Sequence, residues 1–103
     1  MAAGVGSFEI LVTPRAKADL AALGKDRSAS KRLKSIQKAL GLLETNPRHP
    51  SLHTHEYVSF SGPKNETVYE AYAENNTPAA YRIFWYYGPE RGKISVLTIT
   101  AHP

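Results

Sequence analysis

Hydrophobic periodicity changes once along this chain. As far as residue 45 apolar positions recur every three or four residues, and from residue 68 onward they alternate every second residue. The stretch FEILVT (8–13) reads as a short strand rich in apolar and β-branched residues. Thr13-Pro14 then forms an N-cap followed by proline at the first helical position. Ala16, Leu20 and Leu23 continue at helical spacing up to Gly24, which predicts a first helix that stops there. A second helix is predicted from near Ser28 to about Thr45, where Asn46-Pro47 ends it, with Leu33, Ile36, Leu40 and Leu43 as its apolar stripe. Residues 46–67, with Pro47, Pro50, Gly62 and Pro63, read as loop enclosing a short extended piece around Glu56 to Phe60.

The remaining segments VYEAYAE (68–74), AYRIFWYY (80–87) and KISVLTIT (93–100) alternate as strands. They are joined by the turns NNTP and GPERG, so successive antiparallel pairing is the economical arrangement. The predicted fold class is α+β: an N-terminal strand, two helices, then an antiparallel β-meander packed against the helices. Residues 1–7 are expected to be a flexible tail and residues 8–103 a single domain. Two helices cover only one face of such a sheet. Alternation assigns Tyr69, Ala71, Ala73, Tyr81, Ile83, Trp85, Leu97, Ile99 and Ala101 to the helix side. Glu70, Tyr72, Glu74, Arg82, Phe84, Tyr86, Thr98, Thr100 and His102 fall on the opposite, open face.

Composition changes this picture in two respects. At 103 residues with 42% hydrophobic residues the chain suits one globular core and lies outside the composition of disordered proteins. Its lack of cysteine excludes disulfide scaffolds, thiolate metal sites and a cysteine nucleophile, and fits a cytoplasmic location. No signal peptide and no membrane-spanning stretch is read from it. The net charge of +4 is concentrated: residues 14–38 carry eight Lys/Arg against two Asp, whereas residues 39–103 carry five against six Glu. At about 100° per residue, Arg27, Lys31, Lys34 and Lys38 line up opposite the apolar stripe of the second helix. They suit an RNA backbone, or are simply the wet side of a helix.

Candidate chemistry lies on the open face. Arg82 is a permanently charged fork suited to phosphate, and His102 exchanges a proton near neutral pH. Glu70 could act as a base, and Tyr72 could stack on a splayed nucleobase. Those are the parts required to cleave RNA by proton transfer, with a cation beside the phosphorane. The alternative is that Arg82 and Glu70 form a cross-strand ion pair on a solvated face. Lys64 and Tyr86 border or lie on the same face and are further candidate RNA contacts. His49, His53, His55 and Glu56 match no known metal-site spacing, so neither a metal nor another cofactor is expected.

The βαα order followed by three strands, the Tyr81-Arg82 pair with its apolar and aromatic followers, the YGPERGKISVL hairpin and the terminal histidine resemble RelE/ParE-like toxins of bacterial type II toxin–antitoxin systems. The resemblance, nearest the RelE-like branch, implies a microbial ribonuclease-like fold. It also implies an endoribonuclease that cuts mRNA in the ribosomal A site, inhibits translation and is restrained by an acidic antitoxin. It gives Arg82 the scissile phosphate and His102 the general acid. Several relatives carry lysine or arginine in the strand where this chain has Glu70 and Tyr72, and some use a glutamate base, a role that then falls to Glu70. Two rivals are a ParE-like inhibitor of DNA gyrase and a non-catalytic partner- or RNA-binding module.

Overall fold

Thr13 starts the first helix as its sequence suggests: the side-chain oxygen accepts from the Ala16 amide at 3.2 Å, and Pro14 occupies the first turn, where no N–H is missed. In the computed structural model, which describes residues 7–102, helix α1 (Pro14–Lys25) follows strand β1 (Glu9–Val12). The tail expected at residues 1–7 lies, except for Ser7, outside the described residues. Helix α2 (Ser30–Thr45) begins two residues later than its pattern suggests. Asp26 accepts hydrogen bonds from the Ser28 hydroxyl and amide, and these hold its carboxyl below the usual range and wind Arg27–Ala29 into a 3-10 turn. Arg27 therefore precedes α2 instead of lying on it, and the basic stripe of the helix is Lys31, Lys34 and Lys38.

Four further strands follow, β2 (His55–Ser61), β3 (Thr67–Tyr72), β4 (Tyr81–Tyr87) and β5 (Lys93–Ala101). They join β1 in one five-stranded sheet of order β1-β5-β4-β3-β2. The expected antiparallel run holds through β3, β4 and β5, whereas β1 pairs parallel with β5. The lysine at the start of that parallel pair, Lys93, donates to Glu9 at 2.6 Å, and this bond raises its pKa. The short extended piece expected around Glu56 to Phe60 is a longer, seven-residue edge strand, β2, antiparallel to β3. Its sequence signal is weak because an edge strand has one paired side; Val58, at its centre, is 89% exposed.

The helices cover one face, where Ile36 and Leu43 pack with Ala71, Ile83, Trp85 and Ile99. The other face is not open as expected. Val68, Phe84 and Tyr86 are buried there under Tyr57 and Leu97, and the rings of Tyr57, Phe60 and Phe84 stand 4.9–5.1 Å apart. A register shift between Glu56 and Ser61 is the kind of irregularity that bends and twists a strand. Leu97 lies on this face, not the helix side, because β5 bulges. Phe84 pairs with Thr98 and Trp85 with Val96, so Leu97 is the extra residue and the alternation slips by one. Beyond the end of β1 the free edge of β5 is met by α1, where Asp19 accepts from Ile99 N at 2.9 Å and Thr98 Oγ1 at 2.8 Å.

Candidate functional site

At the end of the sheet where β3, β4 and β5 run out of apolar residues, register brings a polar cluster together. Arg82 on β4 sits between Tyr72 on β3 and Thr100 on β5, and His55 at the start of β2 pairs with Glu70 on β3. His102 follows directly after β5, its backbone held by the Ala80 carbonyl at 3.0 Å. Glu70 is the centre of the cluster and is 1% exposed. Its Oε1 meets His55 Nε2 at 2.7 Å, its Oε2 is hydrogen-bonded to His102 Nδ1, and Arg82 Nε stands 3.6 Å from Oε2. An ionised carboxylate at that depth needs such partners, because burial without them costs far more than the fold can spare.

The two histidines differ in what they leave free. Their side chains are about half exposed, 48% for His55 and 49% for His102. His55 uses both ring nitrogens, the second lying 2.7 Å from the His53 carbonyl oxygen. His102 spends only Nδ1, so Nε2 has no partner among the described residues and the ring is open to solvent. A carboxylate that fixes one imidazole nitrogen and leaves the other presented is an arrangement built for proton transfer.

Arg82 turns inward. Its Nη1 donates to Glu74 O at 2.6 Å and Tyr81 O at 3.4 Å, and its Cζ lies 3.7 Å from the centre of the Tyr72 ring. Nε is buried with no hydrogen bond, so among the described residues only Nη1 of the guanidinium is hydrogen-bonded. The expected bidentate fork is therefore not displayed. The same strand end is braced by Arg32, whose Nε reaches both Glu74 oxygens at 3.0 Å and whose Cζ stands 4.4 Å from the Tyr81 ring. Sequence reasoning missed Arg32, and it considered His55 only as a metal ligand.

No family model matches this sequence, and no curated protein matches it. Solved structures do. One is a chain of the archaeal RelE–RelB complex from Pyrococcus horikoshii OT3, at a TM-score of 0.63 and 14% identity over 92% of this chain and 94% of that one. The chain has the RelE-like fold. Another is the YoeB dimer from Staphylococcus aureus, at a TM-score of 0.60 and 14% identity over 94% of this chain and 99% of that one.

On this RelE-like frame the other expected residues scatter. Tyr72 is part of the cluster, but its ring already carries Arg82 and the His53 ring at 4.7 Å, so it is not a free stacking platform. Tyr86 is 6% exposed in the second apolar cluster, which corrects its assignment to an open RNA-facing surface. Glu70 is corrected likewise as to its place: it is buried with both oxygens engaged, not on an open face. The solvated ion pair is corrected too, since the Arg82 side chain is only 10% exposed. Lys64 is exposed on the β2–β3 turn, at the opposite end of that hairpin from His55. Lys38 is closer to the cluster and shares with Tyr72, Ser35 and Ser51 the lining of a cleft of about 190 Å³ between α2 and β3. His53 adopts a left-handed conformation (φ 49°); its ring lies 4.7 Å from that of Tyr72, and the His55 ring meets the same ring edge-on at 6.2 Å while its Nε2 bonds Glu70. Among the described residues, no group of three or more His, Asp or Glu is arranged to hold a metal ion.

Proposed function

We propose that this protein is the toxin of a type II toxin–antitoxin system, an endoribonuclease that cuts mRNA on the ribosome and so inhibits translation in the cytoplasm. The observation that carries this reading is His102: a half-exposed imidazole fixed through Nδ1 by a buried carboxylate oxygen that also faces Arg82, with Nε2 free of a partner among the described residues. The RelE-like fold supports it, since both of the structures described above bear the names of such toxins. Cleavage requires the 2′-OH to lose a proton and the leaving 5′ oxygen to gain one. The 2′-OH proton passes to solvent water, His102 as the imidazolium gives its Nε2 proton to the leaving 5′ oxygen, and Arg82 supplies positive charge beside the phosphorane. Glu70 does not touch RNA; it fixes the His102 ring and stabilises its cationic form.

Lys31, Lys34 and Lys38 are exposed on α2, and Arg27 is exposed just before it, which suits contacts to ribosomal RNA backbone. Tyr72 and Lys38 together line a cleft between that helix and β3. A cognate acidic antitoxin is the partner that restrains the basic surface, as the RelE–RelB pairing supports. The deciding experiment maps mRNA 5′ ends after a pulse of expression. New ends at translated codons in the native protein, absent in His102→Ala, are expected. Growth arrest without new ends would point to a gyrase-type target instead.

A further inference from the structure

We infer that His55 is a positioning residue for His102, acting through the two oxygens of Glu70; this deepens the nuclease reading above and rests on it. His55 Nδ1 lies 2.7 Å from the His53 carbonyl oxygen. A carbonyl oxygen only accepts, so Nδ1 carries a hydrogen and donates it. Nε2 of the same ring lies 2.7 Å from Glu70 Oε1. Since Nδ1 is already protonated, that second contact is a hydrogen bond only if a further proton lies in it, on Nε2 or on Oε1. The contact is therefore a charge-assisted or acid-type bond of the strong kind, and it tethers Glu70 from its β2 side.

Fixing Oε1 fixes the plane of the carboxyl group, and with it the position of Oε2. His102 Nδ1 meets Oε2, and donation into that fixed acceptor selects the ring form that carries its lone pair on Nε2, the outward atom. Arg82 cannot supply the same tether. Its Nε stands 3.6 Å from Oε2 without a hydrogen bond, and its Nη1 is committed to the Glu74 carbonyl. Arg82 contributes charge to Glu70, and His55 contributes direction. Because both His55 nitrogens are engaged, it does not exchange protons with RNA.

The test reads the imidazole nitrogens of the purified full chain by ¹⁵N NMR under mildly alkaline conditions with no RNA present, so the spectra are independent of cleavage. In the native protein His102 should be protonated on Nδ1 and bare on Nε2. His55→Ala should remove that single form and lower kcat of ribosome-dependent cleavage by roughly 10- to 100-fold with little change in KM. His55→Gln, which keeps an N–H directed at Glu70, should restore both the His102 signature and most of the rate. A native His102 protonated on Nε2, or an unchanged His102 spectrum in His55→Ala, overturns the inference. If the spectra respond as stated but the native protein cuts no RNA, the coupling stands and the nuclease function is excluded. Should His55→Ala fail to fold, His55→Phe, which keeps a ring but has no N–H for Glu70, takes its place with the same loss expected, and an unchanged His102 spectrum in it overturns the inference.

Discussion

Glu70→Gln separates a buried ionic cluster from a surface ion pair by magnitude. The substitution keeps size and shape, so it opens no cavity, and it removes the charge facing Arg82, a side chain 10% exposed. Removing one member of a buried ion pair costs about 3–5 kcal/mol, because the other charge stays buried without compensation. Arg82 keeps the Glu74 carbonyl at 2.6 Å and the Tyr72 ring at 3.7 Å, which places the cost at the lower end, about 3 kcal/mol. The histidine contacts act in the same direction, and because both rings are half exposed water replaces part of what they lose, so about 3 kcal/mol is a lower figure. For a domain of this size the melting temperature should fall by roughly 12 °C or more. Urea and thermal unfolding followed by the fluorescence of Trp85, the one tryptophan and fully buried against Tyr69, read the change directly. A loss below about 1 kcal/mol, the range of exposed ion pairs, would refute the burial of a charged Glu70.

Three further outcomes are expected. His102→Ala should abolish growth arrest while the protein stays folded, at a cost of about 1–3 kcal/mol for taking one hydrogen bond from the buried Glu70 carboxylate; undiminished toxicity would remove His102 from the reaction. Charge reversal at Lys31, Lys34 and Lys38, all exposed on α2, should lower toxicity and weaken salt-dependent ribosome binding, and binding measured across a salt series would show an unchanged slope if the stripe is only solvated helix. Asp19→Ala should cost about 1–3 kcal/mol by stripping the Ile99 amide and the Thr98 hydroxyl of their acceptor, with faster amide exchange at Ile99 as the local signature.

The parts of this fold that were legible in the sequence are those with strong local signals. Thr13-Pro14 and Asn46-Pro47 bracket the helical region to within a residue or two, and strict alternation locates β3, β4 and β5. What stayed hidden depends on partners far along the chain. The bulge at Leu97 cannot be seen in a period-two count, because it exists only relative to Phe84 and Trp85 on the neighbouring strand. Parallel pairing of β1 with β5 is likewise set by how the helices return the chain, not by Glu9–Val12 itself. The polar residues Arg82, Glu70 and His102 were legible as one constellation, but not their depth. A glutamate in an alternating strand reads as solvent-facing when the neighbouring extended piece that covers it is seen but its pairing and its His55 are not.

That covering strand links the two largest departures from expectation. Without β2, β3 would be an edge strand and Glu70 would stand at the rim of the sheet, where its pairing with Arg82 would be screened and worth little. With β2 in place, one seven-residue strand does two things from its ends. Tyr57 and Phe60 close over Phe84 and make the second apolar cluster, and His55 closes over Glu70. The strand carries little intrinsic signal because it is exposed along most of its length, yet it turns an ordinary cross-strand pair into a buried charge with fixed partners. Its sequence pays for this with an unpaired outer edge and a nearly fully exposed Val58. The strand that is weakest by local criteria is therefore the one that sets the geometry around His102.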